Sequence, residues 1–173
     1  MIEVDGGHGE GGGQLLRMAV ALSALTGTPV RVVRIRAGRP TPGLAAQHVT
    51  AIHAVAELCA AEATGVAVGA SSIEFRPGNP ASGHFSFDVG TAGSIALVLQ
   101  ALLPVAAAAP GPVRVRLVGG TDVRGAPPID YFNRVFLGLL RPLGGHADVE
   151  VLRRGYYPRG GGIVDVVIEP TRS

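Results

Sequence analysis

The chain has 173 residues, of which 47% are hydrophobic and 16% are charged, so the composition excludes a disordered polypeptide and is sufficient for a buried core. Its formal net charge of +2 is reached without lysine, because all fifteen basic residues are arginines. The longest apolar run, 95–109, is interrupted by Gln100 and Pro104 and is too short to cross a bilayer.

A glycine-dense segment, residues 5–14, lies between a short apolar run and an apolar run of helical period, which predicts a strand, a loop and a helix. Glycine allows a ligand to approach backbone N–H groups, and the N-terminus of the following helix favours phosphate. The segment matches neither the Walker pattern nor a complete G-x-G-x-x-G fingerprint, so a simple tight turn is the alternative.

Charged residues in and after this loop indicate an anionic ligand. Glu10 would repel an anion unless a cation lay between them, which makes Glu10 a candidate ligand for Mg²⁺ bound with a nucleotide. Four arginines then fall within nine residues: Arg31, Arg34, Arg36 and Arg39. This cluster favours a nucleic acid or a nucleotide as partner.

The predicted elements form one unit that occurs twice. The first copy contains strand 2–5, helix 14–25, strand 30–35, helix 44–62 and short strands at 65–68 and 72–76. The second contains strand 85–88, helix 94–108, strand 113–117, helix 129–140 and strands 149–152 and 163–168. The spacing of about 80 residues predicts an α+β protein made of tandem β-α-β-α-β-β repeats, each a sheet with helices on one face. We place the repeats at residues 1–78 and 79–173.

The chain has one cysteine, Cys59, on an apolar helical pattern, so no disulfide framework is expected. No basic region followed by an apolar stretch opens the sequence. We therefore expect a cytoplasmic protein with no membrane association.

Glycine-, arginine- and proline-containing motifs follow one another along the whole chain. They occupy residues 5–6, 9–14, 17, 36–39, 42–44, 47–48, 75–78, 90–94, 97–100, 119–122, 126–131 and 155–162. In this order they resemble the RNA 3′-terminal phosphate cyclases. The resemblance implies an enzyme of the ligase class that uses ATP and Mg²⁺ or Mn²⁺ to convert an RNA 3′-phosphate into a 2′,3′-cyclic phosphate. A histidine takes up AMP, AMP passes to the RNA end, and the 2′-hydroxyl then displaces it.

The resemblance also implies roles for individual residues. Glu10 would ligate the metal. The RNA or nucleotide phosphates would be held by Arg17, Arg36, Arg39, Gln47 and His48. The nucleotide would be contacted by Gly11, Gly12, Gly13, Gln100, Pro127 and Tyr131. His8 has no counterpart in the family pattern and stays an open candidate.

The family pattern also extends beyond this sequence. Its members are about twice as long and have a third repeat and an inserted domain, so we expect the nucleophilic histidine beyond Ser173 and a truncated form here. A subunit that needs a complementing C-terminal chain or a homo-oligomer is one alternative, and a non-catalytic RNA- or nucleotide-binding relative is another. An enolpyruvyl-transferase-like enzyme is less consistent with the absence of lysine.

Overall fold

Strands and helices alternate in the same order twice along residues 1–9 and 11–171, which are the residues described by the structure, a computed structural model. The first unit contains β1 (Ile2–Asp5), α1 (Gly13–Thr26), β2 (Val30–Val33), α2 (Ala46–Leu58), β3 (Glu62–Thr64) and β4 (Ile73–Arg76). The second contains β5 (Gly83–Asp88), α3 (Ile95–Ala107), β6 (Val113–Gly119), a fourth helical segment, β7 (His146–Arg153) and β8 (Gly162–Glu169).

The fourth helical segment changes its winding along its length. It begins as an α-helix at Ile129–Tyr131, widens into a π-helix over Phe132–Phe136 and returns to an α-helix over Leu137–Leu140. A 3₁₀ turn at Arg141–Leu143 ends it. The sequence pattern predicted its extent to residue 140 but not the π-helical section.

Two four-stranded sheets share one topology. The strand orders are β1-β2-β4-β3 and β5-β6-β8-β7. In each sheet the first two strands are parallel, as the crossover helix between them requires, and the other two pairs are antiparallel. The predicted fold class, with a β-α-β-α-β-β unit that occurs twice, is confirmed.

The helices of the two units pack against one another, since α3 contacts both α1 and α2. Their apolar faces are buried, with Leu16, Val55 and Leu99 each no more than 1% exposed. Truncating Leu16 or Leu99 to alanine is expected to cost about 2–5 kcal/mol. Because the helical layer is shared, the division of the chain at residue 78 stays a prediction.

Several element boundaries differ from the predictions: α2 ends at Leu58 rather than at residue 62, and β5, β6 and β7 are each longer than predicted. Strand β2 ends at Val33 rather than at residue 35, because the backbone turns into the left-handed region at Arg34 (φ 50°) and Arg36 (φ 56°). The third strand lies at Glu62–Thr64, although the predicted helix extended to residue 62, and residues 65–68, predicted as a strand, form none. Gly65 turns the chain there at φ 75°.

The helices end well short of membrane-spanning length. None in the described part of the chain is long and apolar enough to cross a membrane. The longest, α1, has 14 residues, whereas a spanning helix needs about 20.

Candidate phosphate-binding site

A cavity of about 690 Å³ lies where the glycine loop, the start of α1, the loop after β2 and the start of α2 meet. Its lining comprises His8, Gly11, Gly12, Gly13, Gln14, Leu15, Arg17, Met18, Arg36, Arg39, Gln47, His48, Leu97 and Gly125. None of these described lining residues is acidic. The cavity therefore brings together eight of the predicted ligand-binding residues, three from the glycine loop and five outside it.

Backbone N–H groups of the first turn of α1 are available at this cavity. Gly12 is the N-cap residue of α1 and provides no side-chain cap, and the first turn contains no acidic residue. Gly11 lies at φ 57°, a conformation that glycine adopts without strain. The N-terminus of α1 thus presents unpaired donors and the positive end of its dipole to the cavity.

Arg17 supplies a buried positive charge. Its side chain is only 8% exposed, and its guanidinium donates a long hydrogen bond of 3.4 Å to Oε1 of Gln100, a neutral partner. No carboxylate pairs with Arg17 within the described residues. Burial lowers the pKa of Arg17 from its ordinary value, and an arginine side chain is positively charged at neutral pH. A buried cation with only an amide partner is a strong indication of an anion site.

The loop after β2 adds Arg36 and Arg39 from the opposite side. Nη1 of Arg36 donates to the carbonyl oxygen of Gly43 over 2.8 Å, which fixes the side chain across its own loop. The guanidinium of Arg39 lies over the glycine loop, 3.3 Å from the position that a Cβ on Gly12 would take. Arg34 instead forms a two-bond ion pair with Asp5 and does not line the cavity.

His48 is buried at the first turn of α2, with 3% of its surface exposed. Its Nδ1 accepts a hydrogen bond from the backbone N–H of Ala45 over 3.0 Å, so the neutral ring carries its proton on Nε2. Burial, together with the nearby positive charges of Arg36 and Arg17, lowers the pKa of His48 from 6.5 to about 4. His48 therefore both caps α2 and provides a neutral N–H donor at the cavity.

Comparison with known proteins identifies the family. Residues 8–173 match the RNA 3′-terminal phosphate cyclase family. The chain belongs to this family. It is 58% identical over 170 residues to the RNA 3′-terminal phosphate cyclase of Nitrosospira multiformis, covering 98% of this chain and 48% of that protein. The proteins of the same name from Methanopyrus kandleri (54% over 172 residues) and Hyperthermus butylicus (57% over 164 residues) cover 99% and 95% of this chain.

The chain spans about half the length of these curated relatives, since 49% and 46% of the latter two are covered. The match to the cyclase family confirms the resemblance that the sequence motifs indicated. It leaves the enolpyruvyl-transferase alternative without support.

Three predicted nucleotide contacts lie outside the cavity lining. Gln100 bonds Arg17 and also lines a separate, largely apolar cavity of about 430 Å³ behind it. Neither Pro127 nor Tyr131 lines the phosphate cavity, and Tyr131 is 52% exposed in the fourth helical segment. Their contact with the adenine of a nucleotide stays a prediction.

The predicted metal ligand, Glu10, lies outside the described residues. Elsewhere in the described ranges no group of three or more His, Cys, Asp or Glu side chains could hold a metal ion. Binding of Mg²⁺ or Mn²⁺ through Glu10 therefore stays a prediction.

Two features of the site could not be found from residue types alone. Leu97 and Gly125 line the cavity from the second unit, and no charged or polar group marks them in the sequence. His8, the open candidate of the glycine loop, does line the cavity.

Proposed function

We propose that this chain binds ATP and the 3′-phosphate end of RNA at the cavity beside the glycine loop, as the phosphate-holding part of an ATP-dependent RNA 3′-phosphate cyclase. The observation that supports this best is the burial of Arg17 with a neutral partner, next to the uncapped N-terminus of α1. Family membership supplies the reaction class.

The hydrogen-bond donors of the cavity lie at two depths. Arg17, the first turn of α1 and Nε2–H of His48 lie deep and hold one phosphate group, while Arg36 and Arg39 reach it from the rim. Arginine forks suit phosphate because they donate two parallel charge-assisted hydrogen bonds. A cavity of about 690 Å³ lies within the usual range of small-ligand and cofactor pockets.

Bound ATP would supply the AMP group that makes the terminal phosphate a better electrophile, with Glu10 holding Mg²⁺ or Mn²⁺ on its phosphates. The residues of this chain then act by position and charge, since fixed donors stabilise the charge that grows on phosphate oxygens. Nδ1 of His48 accepts a hydrogen bond as a helix cap, so Nε2 carries the proton and has no free lone pair. We therefore keep the nucleophilic histidine beyond Ser173, in a third repeat or a complementing C-terminal chain, with a homo-oligomer as the alternative. The protein acts in RNA processing in the cytoplasm. A non-catalytic RNA-binding role is the alternative.

Activity and binding separate these proposals. Purified chain is incubated with ATP, Mg²⁺ and an oligoribonucleotide ending in a 3′-phosphate, and the ends are separated chromatographically. In parallel, fluorescence anisotropy compares 3′-phosphate with 3′-hydroxyl RNA. We expect tighter binding of the 3′-phosphate RNA; conversion by the chain alone would show that a histidine of its own replaces the missing nucleophile.

Arg39→Ala is the decisive variant, and Arg34→Ala is its matched control from the same loop. We expect Arg39→Ala to weaken binding of the 3′-phosphate RNA about tenfold or more, as the loss of a charge-assisted hydrogen bond implies, with little change for 3′-hydroxyl RNA. Arg34→Ala should leave the preference unchanged because Arg34 pairs with Asp5 outside the cavity. Equal losses on both RNAs would make Arg39 a general backbone contact.

A further inference from the structure

A second cavity, of about 770 Å³, continues the phosphate cavity into the second unit. The two share three lining residues, Gln47, Leu97 and Gly125. Beyond them the second cavity runs between the turn after β5, at residues 91–93, and the loop after β6, at residues 123–126. Tyr157 and Pro158 complete its lining. The two cavities therefore form one groove that leads away from the phosphate-binding donors.

One strongly exposed tyrosine, Tyr157, lines this groove. All three tyrosines of the chain are more than half exposed, at 52% for Tyr131, 57% for Tyr156 and 83% for Tyr157. The five phenylalanines, by contrast, are buried or partly buried. An aromatic side chain this exposed loses the stabilisation of a core position, which suggests that it stacks on a ligand.

Unpaired positive charge accompanies the aromatic rings. Arg124 lines the groove, and Arg159 lies in the same turn as Tyr157. Neither forms an ion pair with any carboxylate in the part of the chain that the structure describes. Aromatic faces beside arginines in a groove are the combination that binds single-stranded nucleic acid, because bases stack while phosphates meet charge.

The turn that carries Tyr157 is held in place by its own backbone. The N–H of Gly160 donates to the carbonyl oxygen of Tyr156 over 2.7 Å, and Nε of Arg153 donates to that of Gly161 over 2.7 Å. A Cβ on Gly160 would lie 2.4 Å from the carbonyl oxygen of Thr91, so the turn packs directly on the groove wall. A preorganised turn loses little conformational entropy when a base stacks on it.

Ion pairs connect the loop after β6 to the segment that precedes the Tyr157 turn. Arg154 forms ion pairs with Asp122 over 3.2 Å and with Asp130 over 2.6 Å. Asp122 follows β6, and Asp130 lies in the fourth helical segment. Arg154 therefore links the segment before the Tyr157 turn to the start of the Arg124 loop through ion pairs.

We propose that Tyr157, with Arg124 and Arg159 beside it, is a subsite for the single-stranded RNA immediately 5′ of the terminal phosphate, with the tyrosine ring stacked on a base. This rests on the proposed function for the position of the 3′ end. The terminal phosphate lies among the deep donors, and the strand leaves past Leu97 and Gly125 toward Tyr157. Recognition is by stacking, so it tolerates any base and a DNA strand of the same length.

Binding measured against chain length tests the subsite. Fluorescence anisotropy compares a hexaribonucleotide 3′-phosphate, the same hexamer with a 3′-hydroxyl and, by competition, a nucleoside 3′-monophosphate. We expect Tyr157→Ala to weaken binding of both hexamers about fivefold or more and to leave the mononucleotide unchanged. Tyr157→Phe, which keeps the ring, should bind all three like the wild type, and thermal melts verify that both variants fold.

Arg124→Ala should weaken hexamer binding and reduce the salt dependence of the affinity by about one charge. The subsite is overturned if Tyr157→Ala binds the hexamers like the wild type, loses affinity equally for the mononucleotide, or if the wild type binds no hexamer. Loss of hexamer binding in Tyr157→Ala together with an unaltered phosphate preference in Arg39→Ala would support the subsite and contradict the proposed phosphate site.

Discussion

The side-chain oxygen Oε1 of Gln47 accepts a hydrogen bond from the backbone N–H of Ser94 over 2.9 Å. Gln47 belongs to α2 of the first unit, whereas Ser94 is the N-cap residue of α3 in the second. Ser94 in turn accepts a hydrogen bond from the N–H of Leu97 over 3.3 Å. Since Gln47 and Leu97 both line the phosphate cavity, the site depends on the docking of the two units.

Replacing Gln47 tests this link. Gln47→Leu leaves the N–H of Ser94, a residue only 1% exposed, without its acceptor. We expect a loss of about 1–3 kcal/mol in the free energy of unfolding, the usual cost of an unsatisfied buried donor. Gln47→Glu keeps an acceptor oxygen and should retain stability in urea unfolding at pH 7. Equal stability of the Leu variant and the wild type would contradict the assigned role.

Gly13 is required by its contact with His48 rather than by its backbone angle. A Cβ at Gly13 would lie 2.0 Å from Nε2 of His48, whose ring is buried and hydrogen-bonded. We expect Gly13→Ala to destabilise the protein by about 1–3 kcal/mol through overpacking, although alanine is the better helix former.

The matched control for this variant is Gly138, which also lies in a helix but has nothing within 4 Å of the position of an added Cβ. Gly138→Ala should stabilise the protein by up to about 1 kcal/mol. Opposite shifts of the two variants in thermal unfolding are expected. A stabilising Gly13→Ala would show that the His48 ring moves without cost.

Arg154 lowers the pKa of Asp130 below its ordinary value, chiefly through its hydrogen bonds, and Arg134 contributes only through its charge. We expect Arg154→Ala to raise the pKa of Asp130 toward that of a free aspartate, and Arg134→Ala to raise it less. Carbon-detected NMR titration of the side-chain carboxyl measures both. A larger shift in the Arg134 variant would mean that the bonds between Arg154 and Asp130 do not persist in solution.

Much of the fold was predictable because local signals mark its elements. Glycine turns after the first strand of each unit and apolar helical periods gave the β-α-β-α-β-β order. The position of β3 was not predicted, since the helical pattern was extended to residue 62, whereas residues 62–64 form a strand by pairing with residues 74–76. Tertiary pairing overrides weak local preference there.

The candidate site was predictable in its residue types but not in its contacts. The place of Arg17 one turn after the glycine loop predicted a phosphate contact, but its burial beside Gln100 depends on the packing of α1 on α3 and could not be predicted. The contact between Gly13 and His48 joins two helices that are separated by a strand and a long loop, so no local pattern reports it. The family pattern assigned Pro127 and Tyr131 to the nucleotide but did not predict where they lie relative to the phosphate cavity, whose lining does not include them.

His48 makes stability depend on pH in a window that its pKa defines. Folding lowers the pKa of this buried ring from 6.5 to about 4, so between these values the unfolded chain binds a proton that the folded protein does not. The contribution of a neutral His48 to the free energy of unfolding is complete above pH 6.5 and is lost as pH falls, by roughly 3 kcal/mol at pH 4.

His48→Asn keeps an acceptor for the N–H of Ala45 and removes the titrating group, so its stability should fall less between pH 7 and pH 4. His53→Asn, an exposed position on the same helix, should follow the wild type. Urea unfolding at half-unit pH steps measures the three curves, and parallel curves for the wild type and His48→Asn would show that His48 is not held neutral by the fold.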